Sequence, residues 1–107
     1  MARNQEEGRY EVVWPRSERQ QKNQPLARRL DSLNGKTVAE LWDFRYRGNE
    51  VYRMLEEDLK DRFPDVRFVN WREFGSTYGS DEREIVAGLP ARFRELGVDA
   101  VVSAMGC

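Results

Sequence analysis

Cys107 is the single cysteine of the chain and its last residue. It follows Met105-Gly106 at the end of a short, β-branched run, Asp99-Ala-Val-Val-Ser103. A thiol carried past the carboxyl end of a strand stands where open parallel sheets bind their ligands. It would serve as nucleophile or redox thiol if positive neighbours held it as thiolate. Arg45 and Arg47, on the segment Arg45-Tyr-Arg-Gly-Asn49, supply such charge, and their guanidinium groups suit a bidentate grip on a carboxylate or phosphate. Gly48-Asn49 opens a predicted helix whose first N–H groups favour an anion, and Gly106 brings backbone to the same place. Asp43, just ahead of this segment, is the carboxylate best suited to proton transfer, because burial at a strand end raises a carboxyl pKa. Each residue also has a plainer role: an inert terminal thiol, solvated loop arginines, a carboxylate that caps its loop. The terminal carboxylate beside Cys107 itself opposes thiolate formation.

Composition removes several alternatives. The chain has no histidine, so it cannot build a Ser-His-Asp triad, a Cys-His pair or a histidine-ligated metal site by itself. No Walker or dinucleotide-binding glycine pattern is present. Beyond a terminal thiolate and carboxylate nothing has metal-ligand spacing, so no metal and no cofactor is expected. Net charge is −1, which gives no overall field toward nucleic acid. The charge is uneven, with seven Lys/Arg against four Asp/Glu in residues 1–29 and eleven against fifteen in residues 30–107. One cysteine fits a reducing compartment, and no apolar stretch approaches the roughly 18 residues of a membrane span; a cytoplasmic protein without membrane or nucleic-acid partners is expected.

The elements that must position these residues are legible from periodicity. Residues 1–34 read as an extended N-terminal arm. Within it Arg9-Tyr-Glu-Val-Val-Trp-Pro15 is a short extended candidate ended by Pro15, Arg16 to Gln24 is nearly all polar, and Leu26 to Leu33 is a candidate turn of helix before the Asn34-Gly35 turn. The arm either folds back on its own domain or wraps a partner subunit, with Tyr10, Val12, Val13 and Trp14 as anchors. Residues 35–107 read as one α/β domain: a strand over Lys36–Phe44, a helix from Glu50 to Phe63 capped at Asn49, a strand over Val66–Trp71, and a loop to Gly79. A helix capped by Ser80 and kinked or split at Pro90 follows, then the third strand from Asp99. The apolar face of the first helix is assigned to Val51, Met54, Leu55, Leu59 and Phe63, and that of the second to Ile85, Val86, Leu89, Phe93 and Leu96. Trp42, Phe63, Phe68, Trp71 and Phe93 are assigned to the core. Strand-helix-strand-helix-strand with right-handed crossovers predicts a three-stranded parallel βαβαβ unit of order 2-1-3, the half of a Rossmann- or flavodoxin-like sheet. That order brings Asp43–Asn49 and Met105–Cys107 together, with Ser76-Thr-Tyr-Gly79 to one side of the crevice. It also leaves the third strand as an edge, which invites pairing with more protein.

Leu26-Ala-Arg-Arg-Leu-Asp-Ser-Leu-Asn-Gly-Lys-Thr-Val38, Gly48-Asn49, Phe63-Pro-Asp-Val66 and Leu96-Gly-Val-Asp-Ala-Val-Val102 resemble the N-terminal part of the UGSC family, named for a selenocysteine-or-cysteine-Gly-Ser-Cys motif. The resemblance runs from Leu26 to Cys107. It implies that the third strand leads into the redox-active motif, with Met105-Gly106-Cys107 at or just before its start. The family is similar in layout to the selenoprotein B subunits of glycine and proline reductases, which implies thiol or selenol chemistry on a small organic substrate. The Gly-Ser-Cys portion is absent here, so no resolving thiol is supplied. Three histories would end a chain at Cys107: a naturally split subunit, a selenocysteine codon read as stop, or cleavage at this residue; a split or processed subunit is the expectation.

The sequence thus points to a subunit of a heteromeric cysteine-dependent enzyme for a small, anionic organic molecule. Cys107 would be the reactive thiol, Asp43 the proton-transfer group, and Arg45, Arg47, Asn49 and Gly106 the substrate contacts. A non-catalytic accessory subunit that holds a partner chain through Tyr10, Val13, Trp14 and the sheet edge is the alternative.

Overall fold

A computed structural model describes residues 8–15 and 22–106. Strand β1 (Thr37–Trp42) is buried at all of its positions. A parallel strand reaches that state only with a strand on each edge and a helix on each face. Strands β2 (Arg67–Val69) and β3 (Ala100–Ala104) flank it in the order β2-β1-β3, both parallel to it. Ala39 stands opposite Val69 on one side and Val101 on the other, Glu40 opposite Val102, and Trp42 opposite Ala104. The architecture is therefore the expected α/β unit with its first strand in the centre.

Side chains alternate along a strand, so Ala39 and Leu41 share one face of β1 while Val38, Glu40 and Trp42 share the other. Helix α2 (Glu82–Leu96) covers the first face. There Ala39, Leu41, Phe74 and Leu89 are buried together, with Val69, Phe93, Leu96 and Val98 packed around them. Each buried Leu or Phe in such a cluster contributes about 1.5–3 kcal/mol of transfer free energy. Helix α1 (Gly48–Arg62) covers the second face through Gly48 and Tyr52. The two crossover helices thus lie on opposite sides of the sheet.

Several boundaries differ from expectation, each for a local reason. β1 ends at Trp42 rather than Phe44, because Asp43 Oδ1 accepts the Arg45 N–H (3.1 Å) and turns the chain, leaving Phe44 in the left-handed region at φ 62°. β2 stops at Val69, and Trp71–Glu73 is a single 3-10 turn capped by the Asn70 side chain, which accepts the Arg72 N–H. α1 starts at Gly48, with Arg47 rather than Asn49 at its N-cap, and α2 has Asp81 rather than Ser80 there. α2 is one helix with Pro90 inside it, not two; the carbonyl that Pro90 leaves unpaired belongs to Val86, on the half-exposed side. Gly97 stops α2 in the left-handed conformation (φ 65°), as its type predicts. Leu26–Leu33 forms no helix; Ala27 to Leu30 and Leu33 instead border a groove against Val98–Val101.

Core membership also shifts. Val51, Met54 and Val86 are half-exposed or more, whereas Tyr52 and Phe74, not assigned to the core, are buried. α1 is rotated so that Gly48 and Tyr52, one turn apart, meet the sheet. Of the five aromatics assigned to the core, Trp42 is buried and Phe63, Phe68, Trp71 and Phe93 are half-buried, Trp71 against Trp42 and Phe93 against Phe74 on the other face.

Candidate functional site at the carboxyl end of the sheet

The carboxyl ends of β1 and β3 are joined by one side chain. Asp43 is buried, and both of its carboxylate oxygens accept backbone N–H groups: Oδ1 from Arg45 (3.1 Å) and Oδ2 from Gly106 (2.8 Å). Charge-assisted bonds of this kind are the stronger sort. They tie the loop after β1 to the segment after β3. Gly106 is pressed against the neighbouring loop, since a Cβ there would lie 2.6 Å from Tyr46 Cδ1. Gly48 is as confined, with a would-be Cβ 2.7 Å from Trp42 Cδ1. Helix α1 therefore begins in direct contact with the end of β1.

The segment after β2 closes the third side. Ser76 pairs with Trp42 in an isolated parallel bridge, the Thr77 N–H donates to the Trp42 carbonyl (3.1 Å), and the Ser76 hydroxyl has one proton for the Tyr78 carbonyl at 2.7 Å and the Asp43 carbonyl at 3.2 Å. Arg45 lies over the Tyr78 ring, 4.1 Å from its centroid. Ser76–Tyr78 thus borders the Asp43–Arg45 turn directly and is nearer to it than the strand order alone suggested. Arg47 points elsewhere: its Nη2 reaches Glu50 Oε2 at 2.8 Å on the exposed side of the helix start. An exposed pair of this kind contributes no more than about 1 kcal/mol. Asn49 is exposed in the first turn of α1. Cys107 lies outside the described residues, one peptide beyond Gly106. Of the residues read as site-forming, the structure gathers Asp43, Arg45 and Gly106 at one point, with Arg47 and Asn49 at the adjoining helix start.

Aromatic rings fill the floor of this end. Trp42 packs against Phe44, Tyr46 and Trp71 with centroid separations of 4.8, 6.4 and 4.7 Å. These contacts help offset the roughly 1–2 kcal/mol that a left-handed backbone costs a residue such as Phe44. The Trp42 indole N–H and the Thr77 hydroxyl are buried without a hydrogen-bond partner.

The strongest electrostatic perturbation sits one face away, at a residue the sequence reading passed over. Glu40, in the middle of β1, is completely buried. Its Oε1 accepts the Asn70 side-chain amide at 3.4 Å, while its Oε2 has no donor. Burial, and then the neighbouring Glu56 carboxylate, push the Glu40 carboxyl up to about 8. A hydrogen bond with the Glu56 side chain favours the protonated form of the pair. Tyr52 stands beside it, its hydroxyl 2.5 Å from the Leu41 carbonyl and 2.9 Å from that of Val102. Burial, reinforced by Glu40, raises this phenol to about 12, so it keeps the one proton it has for the two carbonyls. The signal for Glu40 was present as alternation, a charged residue between Val38 and Trp42 on a strand covered on both faces. Among the described residues no group of three or more His, Cys, Asp or Glu is assembled to hold a metal, and no helix is long and apolar enough to cross a membrane.

No curated protein matches the chain, and no solved structure does. The model of the UGSC family matches residues 11–107, which takes in the whole sheet, both helices and the turn at Asp43. The chain belongs to the UGSC family.

Proposed function

We propose that this chain is a subunit of a heteromeric, cysteine-dependent enzyme whose site lies where β1 and β3 end, acting by thiol redox or lyase-type chemistry on a small, anionic organic substrate. The observation that carries the reading is the bond from the Gly106 N–H to Asp43 Oδ2, because it tethers the residue before Cys107 to the turn that bears Arg45. In this reading Cys107 is the reactive thiol. Arg45, steadied by the Tyr78 ring, orients the substrate anion and favours the thiolate. Arg47 and the first turn of α1 at Asn49 add positive potential. Asp43 holds the geometry and, with one amide on each oxygen, keeps a further lone pair on each for a proton in transit.

Alkylation of Cys107 tests this directly. The thiol is expected to react faster with iodoacetate, relative to neutral iodoacetamide, than free cysteine does, and Arg45→Ala is expected to remove that preference. Equal preference in the wild-type chain and in free cysteine would end the proposal. Once a substrate is in hand, Cys107→Ser is expected to abolish turnover while leaving assembly intact. The second reading, an accessory subunit that binds a partner chain without catalysis, is favoured by a different observation: Tyr10, Val12 and Val13 are 80–91% exposed, and β3 lies at the edge of the sheet.

A further inference from the structure

Among the described residues, one strand-like run lies outside the sheet, and one strand of the sheet has a neighbour on one side alone. Tyr10-Glu-Val-Val-Trp14 is rich in β-branched and aromatic residues and belongs to no element, and its Tyr10, Val12 and Val13 side chains face solvent almost fully. β3 pairs only with β1 among the described strands. Its five residues, Ala-Val-Val-Ser-Ala, carry none of the charges or prolines with which exposed edges are normally protected.

We infer that residues 10–14 of one copy add as a parallel strand to the outer edge of β3 in a second copy. Three features fix the pairing. Length agrees: Tyr10 to Trp14 matches Ala100 to Ala104, and Pro15, which has no N–H to donate, falls just past the strand. Alternation agrees as well. With Tyr10 opposite Ala100, the apolar Tyr10, Val12 and Trp14 join the half-buried Ala100, Val102 and Ala104, while Glu11 and Val13 join the exposed Val101 and Ser103. A slip of one residue would drive Glu11 onto the covered face. Charge then chooses the direction. In the parallel sense Arg9 comes beside Asp99, and Glu11 comes beside Val101, which borders the same groove as Arg28 and Arg29. In the antiparallel sense Glu11 moves to Ser103, away from both arginines.

This inference deepens the association reading above and rests on it, without any use of Cys107 chemistry. Two measurements on the full chain separate the two. Hydrogen exchange asks whether the edge is covered at all: the outward amides of β3 are expected to be protected, and Val12→Asp, at a position 91% exposed and therefore harmless to the fold, is expected to expose them. Fast exchange of those amides in the unaltered chain would overturn both the inference and the association reading. Cross-linking asks who covers it. In a Cys107→Ser background, a chain with Tyr10→Cys mixed with a chain carrying Ala100→Cys is expected to form a mixed disulfide on mild oxidation, and Ala104→Cys in place of Ala100→Cys is expected to form at least tenfold less. Paired strand positions fall within the Cα separation that a disulfide spans. A protected edge with no mixed disulfide, a disulfide closed within one chain when both cysteines are in the same molecule at low concentration, or preferential bonding to Ala104→Cys would each overturn the arm exchange and leave the association reading standing.

Discussion

Glu40 sets the pH response of this protein at the scale of one residue. Unfolded, its carboxyl titrates near 4.5; folded, it titrates near 8 because burial and Glu56 disfavour the charge. Between those values the folded chain holds a proton that the unfolded chain has lost, so stability falls as pH rises. The contribution is complete below pH 4.5 and is used up by about pH 8. Groups facing Glu40 are Glu56, Lys60 and Tyr52 on α1, and Asn70 with the Trp71 backbone after β2; Lys60 and the Trp71 N–H act the other way but do not win. Glu40→Gln keeps the shape and cannot ionise. It is expected to flatten the pH dependence of chemical denaturation and to be more stable than the parent at pH 8.5. Parallel stability curves for the two proteins from pH 5 to 8.5 would remove Glu40 as the cause. Gly48 makes a second prediction at this scale. Alanine there would gain about 1 kcal/mol of helix propensity, but its Cβ would press on a buried indole. Overpacking costs about 1–3 kcal/mol, so Gly48→Ala is expected to be net destabilising, read as a lower denaturation midpoint with unchanged m-value.

Between elements, single polar groups do the joining. Tyr52 offers one proton to carbonyls of β1 and β3 across a buried interface. Tyr52→Phe leaves both without that donor and is expected to cost about 1–3 kcal/mol, and to speed exchange of β3 amides more than those of β2. Equal acceleration in both strands would show that Tyr52 merely fills space. Asp43 joins the same two strands at their ends; Asp43→Asn must set its amide against either the Arg45 or the Gly106 N–H and is expected to unprotect one of those amides selectively. These two joints mark how far the sequence could be read. Strand order, the parallel sense and the meeting of Asp43 with Gly106 followed from hydrophobic runs, Gly97 and the handedness of crossovers. Tyr52 was missed because helical spacing fits several rotations of α1, and the rotation is chosen by the absence of a side chain at Gly48; Phe74 was missed because it lies just past a 3-10 turn, in a segment with no periodicity to assign it a face. Glu40 was missed because a carboxylate in a strand reads as solvent-facing until both faces are known to be covered. Pro90 was read as a kink or a split, and its position facing water lets the helix carry on through it.

At the scale of the whole molecule the question is whether the arm belongs to the fold or to the assembly. Tyr10, Val12 and Val13 bury almost nothing in their own chain, so each is worth no more than about 0.5 kcal/mol to an isolated chain, and a chain shortened by residues 1–15 loses none of their packing. Association adds a term that depends on concentration, because whatever binds the native state alone stabilises it by mass action. If arms complete one another's sheets, the melting temperature of the full chain rises with protein concentration, whereas that of the shortened chain stays flat. For a domain of this size a further 1 kcal/mol of linkage corresponds to about 4–8 °C, well within calorimetric resolution over a hundredfold concentration range. The two chains should then converge at the dilute end. A full chain whose melting temperature ignores concentration, or a shortened chain that melts far lower even when dilute, would instead make the arm a part of its own domain. The exposed Val101 and Ser103 of β3 would then need a different cover.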